Sequence, residues 1–160
     1  MKYLFTFTIT LFTLLISACS FSTPFVVINS SNSQLEVYYE LKPSGMMPNE
    51  NLRKPLVLSV EEFNGGNSQW RELSLDKLTI DSEKGIVKAI IQPNEVIEIE
   101  SEDSIGVDKE PSEHFDIKKL KLDGTSGLIT FEGNEIYKQF KREEKRWFSP
   151  GGTVYVFYYK

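Results

Sequence analysis

The chain has 160 residues, with 18 Lys and Arg against 23 Asp and Glu and a formal charge of −5. That acidic balance disfavours nucleic acid as a partner, because a phosphate backbone is held by clustered Lys and Arg that displace its counterions. One cysteine and one histidine exclude an intrachain disulfide and the multi-histidine zinc and iron sites.

Lys2 gives the N-terminus a positive charge, and Tyr3 to Ile16 is apolar apart from threonines. An export signal has such a core. The run is shorter than the ~20 apolar residues a membrane-crossing helix needs. It ends in Ile16-Ser17-Ala18-Cys19. These four residues resemble the lipobox of bacterial lipoproteins: an aliphatic residue, two small ones and an obligatory cysteine.

The resemblance implies cleavage between Ala18 and Cys19 and a diacylglyceryl thioether on the Cys19 sulfur. In many bacteria it also implies an acyl chain on the new amino group. No other cofactor is expected. Each buried methylene contributes ~0.8 kcal/mol, so two or more chains hold a protein at a bilayer. Ser20 stands where, by analogy with enteric bacteria, an aspartate would signal inner-membrane retention. The outer membrane, facing the periplasm, is therefore expected if the host has two membranes.

The expected organisation is a signal peptide over 1–18, a lipidated tether over 19–24 and one β domain over 25–160. Removing residues 1–18 leaves 142 residues, with 17 basic against 23 acidic side chains and a formal charge of −6. That is the size of one domain able to bury a core without staples.

In chain order, Phe25 to Ile28 reads as a β-branched strand, and Asn29 to Ser33 as a polar turn. Leu35, Val37, Tyr39 and Leu41 then alternate with Glu36, Tyr38, Glu40 and Lys42, as in a strand with one buried and one wet face. Pro43 to Pro55 is loop-like, Leu56 to Val60 strand-like, and Asn64-Gly65-Gly66-Asn67 a turn. Trp70 to Ile80 fits both a strand and a single helical turn.

Gly85 to Ile91 and Val96 to Glu100 flank a turn at Gln92-Pro93-Asn94-Glu95 and are expected to be adjacent strands. Ser101 to Glu113 reads as an acidic loop, and a strand resumes at Phe115 and Ile117. Leu120 and Leu122 shift the inward parity, which requires a bulge near Lys118 and Lys119. Asp123 to Gly127 turns the chain into Leu128 to Phe131. Ile136, Tyr137 and Phe140 have helical spacing. Lys141 to Arg146 is interrupted by Glu143 and Glu144, which makes it a solvated face. Thr153 to Tyr159 is apolar on both parities, so both its faces should be covered. Many short strands and abundant turn dipeptides predict a mainly β fold: a single antiparallel, immunoglobulin-like sandwich of roughly seven strands.

Chemistry-bearing residues are sparse. Ser112, His114 and Asp116 share one face of an extended backbone, but lack the sharp elbow and oxyanion donors of acyl transfer and read as a solvated polar face. Glu100, Glu102, Asp103, Asp108 and Glu110 are oxygen donors of the kind calcium takes, without an EF-hand pattern. No catalytic or metal-ligating set is expected. Trp147 and Phe148 lie in a charged Gly/Pro-rich segment, and Tyr155, Phe157 and Tyr159 share one strand face. Aromatics concentrate interface energy, so these five are the candidate partner-binding residues. The alternative is that the Tyr155 stripe packs under the Asn134 to Arg142 segment or forms the second side of the core.

With Val27-Ile28-Asn29 before the Leu35 to Leu41 strand, the mature region resembles small β-sandwich lipoproteins that tether or assist larger envelope assemblies. In size and anchor it is similar to the type VI secretion tether lipoprotein. The resemblance implies a non-enzymatic, membrane-anchored module that binds another envelope protein. A lipoprotein that binds or hydrolyses envelope glycans or peptides is the alternative.

Overall fold

The computed structural model describes residues 21–42, 54–65, 69–104, 115–145 and 153–160. Eleven strands lie among them: β1 Phe21–Asn29, β2 Leu35–Leu41, β3 Leu56–Ser59, β4 Arg71–Glu72, β5 Leu78–Asp81, β6 Ile86–Ile91, β7 Glu95–Ser104, β8 Ile117–Gly124, β9 Gly127–Glu132, β10 Lys141–Glu144 and β11 Thr153–Tyr159. Two short helices, α1 Val60–Gly65 and α2 Asn134–Tyr137, and a 3-10 turn at Leu75–Lys77 complete the elements. The six-stranded sheet runs β10-β11-β1-β7-β3-β4 and the five-stranded sheet β5-β6-β2-β8-β9.

Alternation along the strands explains how the two sheets share a core. Phe25 and Val27 of β1, Ile97 of β7 and Tyr159 of β11 are buried with Val37 and Tyr39 of β2, Val87 and Ala89 of β6, and Leu120 and Leu122 of β8. The Phe25 and Phe115 rings meet between the layers with centroids 4.8 Å apart, and within the six-stranded sheet Phe25 stacks on Tyr155 of β11 at 4.7 Å. Such pairs contribute ~0.5–1.5 kcal/mol beyond their area.

The six-stranded sheet is apolar on its outer face too. Val26, Ile28, Val96, Val154 and Val156 form a second cluster there with Leu58 of β3 and Phe63 of α1, flanked by Val60 and Trp70. The coverage expected of both faces of the last strand is present. A reciprocal cap holds α1 in place: the Glu62 N–H donates to Ser59 Oγ (3.1 Å), while the Ser59 N–H donates to Glu62 Oε2 (2.8 Å).

Several expectations change. The strand count rises from roughly seven to eleven because short pieces add to the edges. The charged Lys141–Glu144 stretch pairs with β11, and two-residue β4 with β3. The sheets are not purely antiparallel, since β1 pairs β11 in parallel, Phe25 opposite Tyr155. Strands β6 and β7 are not sheet neighbours, because the Gln92–Glu95 turn carries the chain from one sheet to the other. Asn94 takes a positive φ of 61° there. Its N–H donates to the Asn29 carbonyl (2.9 Å) and its carbonyl accepts from the Val60 N–H (2.8 Å). Ser101 to Ser104 extends β7 rather than starting a loop.

Phe21 to Pro24, part of the stretch expected as a tether, belong to β1, which pairs β7 from Phe21, opposite Ser104. Pro24 is tolerated inside the strand because β11 joins only from Phe25 onward, leaving one flank of Pro24 without a ladder partner. The bulge expected near Lys118 is there: Glu40 faces Lys119 and Leu41 faces Ile117, so Lys118 is the extra residue.

Candidate functional site

The outer face of the five-stranded sheet carries the polar parity of β2, and the register of its neighbours sets what surrounds it. Tyr38 lies opposite Lys88 of β6 on one side and Lys121 of β8 on the other. The Lys121 Nζ is 5.0 Å and the Lys88 Nζ 5.9 Å from the Tyr38 ring centroid. Both ammonium groups thus rest on one aromatic ring, each contact worth ~0.5–1 kcal/mol at an exposed site. The row continues to Thr79 on β5 and Thr130 on β9, so it crosses all five strands.

One row away, Glu36 lies opposite Asp123, and Asp123 opposite Leu128. Leu128 is 62% exposed, a large apolar side chain on an otherwise polar surface. Glu36, Tyr38, Lys88, Lys121, Asp123 and Leu128 together line a solvent-open cleft of about 220 Å³.

The row on the other side of Tyr38 differs in kind. There Glu40 pairs with Lys118 (2.8 Å) and Lys119 with Glu132, and the Lys119 and Glu132 charges hold each other's titration away from neutrality. Among the described residues, the four charged groups of the cleft have no ion-pair partner within 4 Å. The cleft therefore offers two cations over a ring and two carboxylates beside them, all free for a ligand.

The aromatic residues picked from the sequence are placed differently. Tyr159 is 1% exposed, and its hydroxyl donates to the Gly127 carbonyl at 3.0 Å. Tyr155 and Phe157 are half-buried against the shared core. Phe157 packs against Phe131 and Phe140 with centroids 5.7 and 6.0 Å away, and Tyr155 lies 6.4 Å from Tyr137. The stripe packs beneath the segment around α2. Cys19, Ala18, Trp147 and Phe148 lie outside the described residues, as do Ser112, His114, Asp108 and Glu110. Asp116 is exposed.

Two tyrosines have shifted titration. Burial pushes the Tyr39 phenol up, with the Glu100 and Glu98 carboxylates adding to it, so it stays neutral. Partial burial and a hydrogen bond to Glu143 push Tyr158 up to about 12. Neither lines the cleft. Among the described residues no group of three or more His, Cys, Asp or Glu side chains is gathered to hold a metal, and no helix is long and apolar enough to cross a membrane.

Reading the sequence alone missed the cleft. The signal was a tyrosine on the wet parity of the clearest strand. Its meaning depended on which residues of β6 and β8 fall beside it. Comparison with protein-family models, curated proteins and solved structures finds no match.

Proposed function

We propose that this chain is a lipid-anchored module of the bacterial cell envelope that binds another envelope protein through the open face of its five-stranded sheet, without performing chemistry. The observation that carries the reading is the contrast between the two outer faces. One is sealed by α1 and Trp70. The other leaves open to solvent Tyr38 with two lysines and two carboxylates that have no ion-pair partner among the described residues. An aromatic anchor ringed by charges of both signs supplies contact energy from the ring, and register and partner choice from the charges.

The anchor at Cys19, the envelope location and the immunoglobulin-like class of the sandwich belong to this proposal. They are supported by the lipobox resemblance and the two-layer arrangement. The likeness to the type VI secretion tether lipoprotein makes a secretion assembly one form the partner could take. The Glu36–Asp123 pair favours a second reading, in which the cleft takes an envelope glycan or peptide.

Labelled palmitate should enter the wild type and not Cys19→Ala. Recovery from detergent-solubilised membranes should bring down one partner with wild type and lose it with Lys121→Glu. A wild-type protein recovered alone while turning over a glycan or peptide would transfer the argument to the second reading.

A further inference from the structure

We infer that the free edge of β9 pairs with the same edge of a second copy of this chain, antiparallel about a two-fold axis at Thr130, so that two five-stranded sheets join into one. The pairing requires neither the lipid at Cys19 nor the partner at Tyr38.

Sheet edges are ordinarily guarded against such joining by charge, proline or brevity, and three of the four edges here are guarded. β10 is Lys-Arg-Glu-Glu, β4 has two residues, both charged, and β5 has four, ending at Asp81. β9 differs. Its six residues are Gly-Leu-Ile-Thr-Phe-Glu, with the single charge, Glu132, at the end. It closes the five-stranded sheet, and among the described residues no strand lies on its far side.

The hydrogen-bond phase of the β8–β9 ladder sets which groups that edge presents. The Gly133 N–H donates to the Lys118 carbonyl (2.9 Å), in the register that pairs Lys119 with Glu132. Backbone directions alternate along an antiparallel strand. Ile129 and Phe131 therefore turn their N–H and C=O groups to β8, whereas Leu128, Thr130 and Glu132 turn theirs outward. The side chains of those three are exposed, and those of Ile129 and Phe131 are half-buried against the shared core.

A two-fold axis perpendicular to the sheet keeps inner face with inner face, and one register uses all three outward residues. It sets Thr130 opposite Thr130 and Leu128 opposite Glu132 of the second copy. About six N–H···O=C bonds form. On the inner side Ile129 meets Phe131 of the second copy at non-hydrogen-bonded positions, where side chains approach most closely. Such aromatic and β-branched pairs contribute ~0.2–1 kcal/mol each. Neither Glu132 faces a like charge across the seam. This self-match selects a second copy as the occupant. The row Lys88-Tyr38-Lys121-Thr130 then runs on across the axis into its own reverse. Five strand spacings separate the two Tyr38 residues, so two clefts open on one surface roughly 24 Å apart.

The test uses the full chain extracted from membranes in mild detergent. Wild type, with Cys19 its one cysteine, sets the crosslinking background. Thr130→Cys places two thiols at the axis on Cα atoms ~5.5 Å apart, within reach of a disulfide. Under mild oxidation it should give at least tenfold more covalent dimer than Leu128→Cys, whose two copies lie four positions out of register, roughly 13 Å along the strand. Thr130→Lys sets two ammonium groups face to face. It should scatter light as a monomer at an unchanged thermal midpoint, while wild type scatters as a dimer. Equal crosslinking of Leu128→Cys and Thr130→Cys overturns the axis at Thr130. A monomeric wild type, with Thr130→Cys at background, overturns the pairing altogether, and so does a dimer that survives Thr130→Lys.

Discussion

The Tyr159 phenol occupies the space a β-carbon on Gly124 would need: such a carbon would lie 2.8 Å from the hydroxyl oxygen and 2.9 Å from the ring. The ring cannot swing away, because it is buried and its hydroxyl donates to the Gly127 carbonyl. Gly124→Ala should therefore cost about 1–3 kcal/mol, as overpacking of a closed core does. Tyr159→Phe, which removes the nearest atom, should recover part of that loss. Urea midpoints of the two single variants and the double variant check it; strictly additive losses would contradict the contact.

Asn29 is fully buried, and its side chain serves four partners. Its amide donates to the Ser33 and Ile91 carbonyls (2.7 and 3.4 Å), and its Oδ1 accepts from the Ser31 N–H and hydroxyl (3.1 and 2.7 Å). Asn29→Ala strands a buried carbonyl and an N–H together, so a loss of about 2–3 kcal/mol is expected. Amide exchange should accelerate first at Ser31 and Asn94, the residues this junction pins. Unchanged protection there would show that water replaces the amide.

The cap on α1 should weaken in acid. The Ser59 backbone N–H, then the Ser59 hydroxyl, and more weakly Arg71, hold the Glu62 carboxyl below its usual 4.5. A depressed folded value means that the contribution is present above 4.5 and lost as pH falls through the folded value. Protection of the Ser59 amide should accordingly drop as pH falls below 4.5, while Glu62→Gln should show little pH dependence there. A wild-type amide indifferent to pH would remove the cap from the account.

Tyr38→Ala should separate binding from folding. The side chain is half-buried on an open face, so its loss should shift stability by at most about 1 kcal/mol. Partner recovery from membranes should fall at least tenfold. Undiminished recovery, at unchanged thermal midpoint, would move the binding surface elsewhere.

Much of the β architecture was legible because it is local. Alternation along Leu35 to Leu41 announced which side chains go inward, and the parity change between Ile117 and Leu120 announced the bulge at Lys118. The two-faced apolarity of Thr153 to Tyr159 announced a strand covered on both sides, as Val154 and Val156 under α1 and Tyr159 in the shared core make it.

Pairing was not legible, because the partner of a strand is chosen by distant residues. The Gln92–Glu95 turn has the chemistry of a hairpin, yet it bridges two sheets: β6 finds β2, and β7 finds β1 and β3. A stretch as charged as Lys141–Glu144 becomes a strand only because β11 offers it an edge.

The amino-acid order by itself determined the β class, the inward side of each alternating strand and the aromatic on the wet side of β2, since each depends on neighbours one or two positions away. Tertiary structure alone decided that Lys88 and Lys121 flank Tyr38, that the C-terminal aromatics pack against the core, and that β1 begins within two residues of Cys19. Those facts depend on register between segments up to 130 positions apart, which hydrogen-bonded pairing sets and local sequence does not encode.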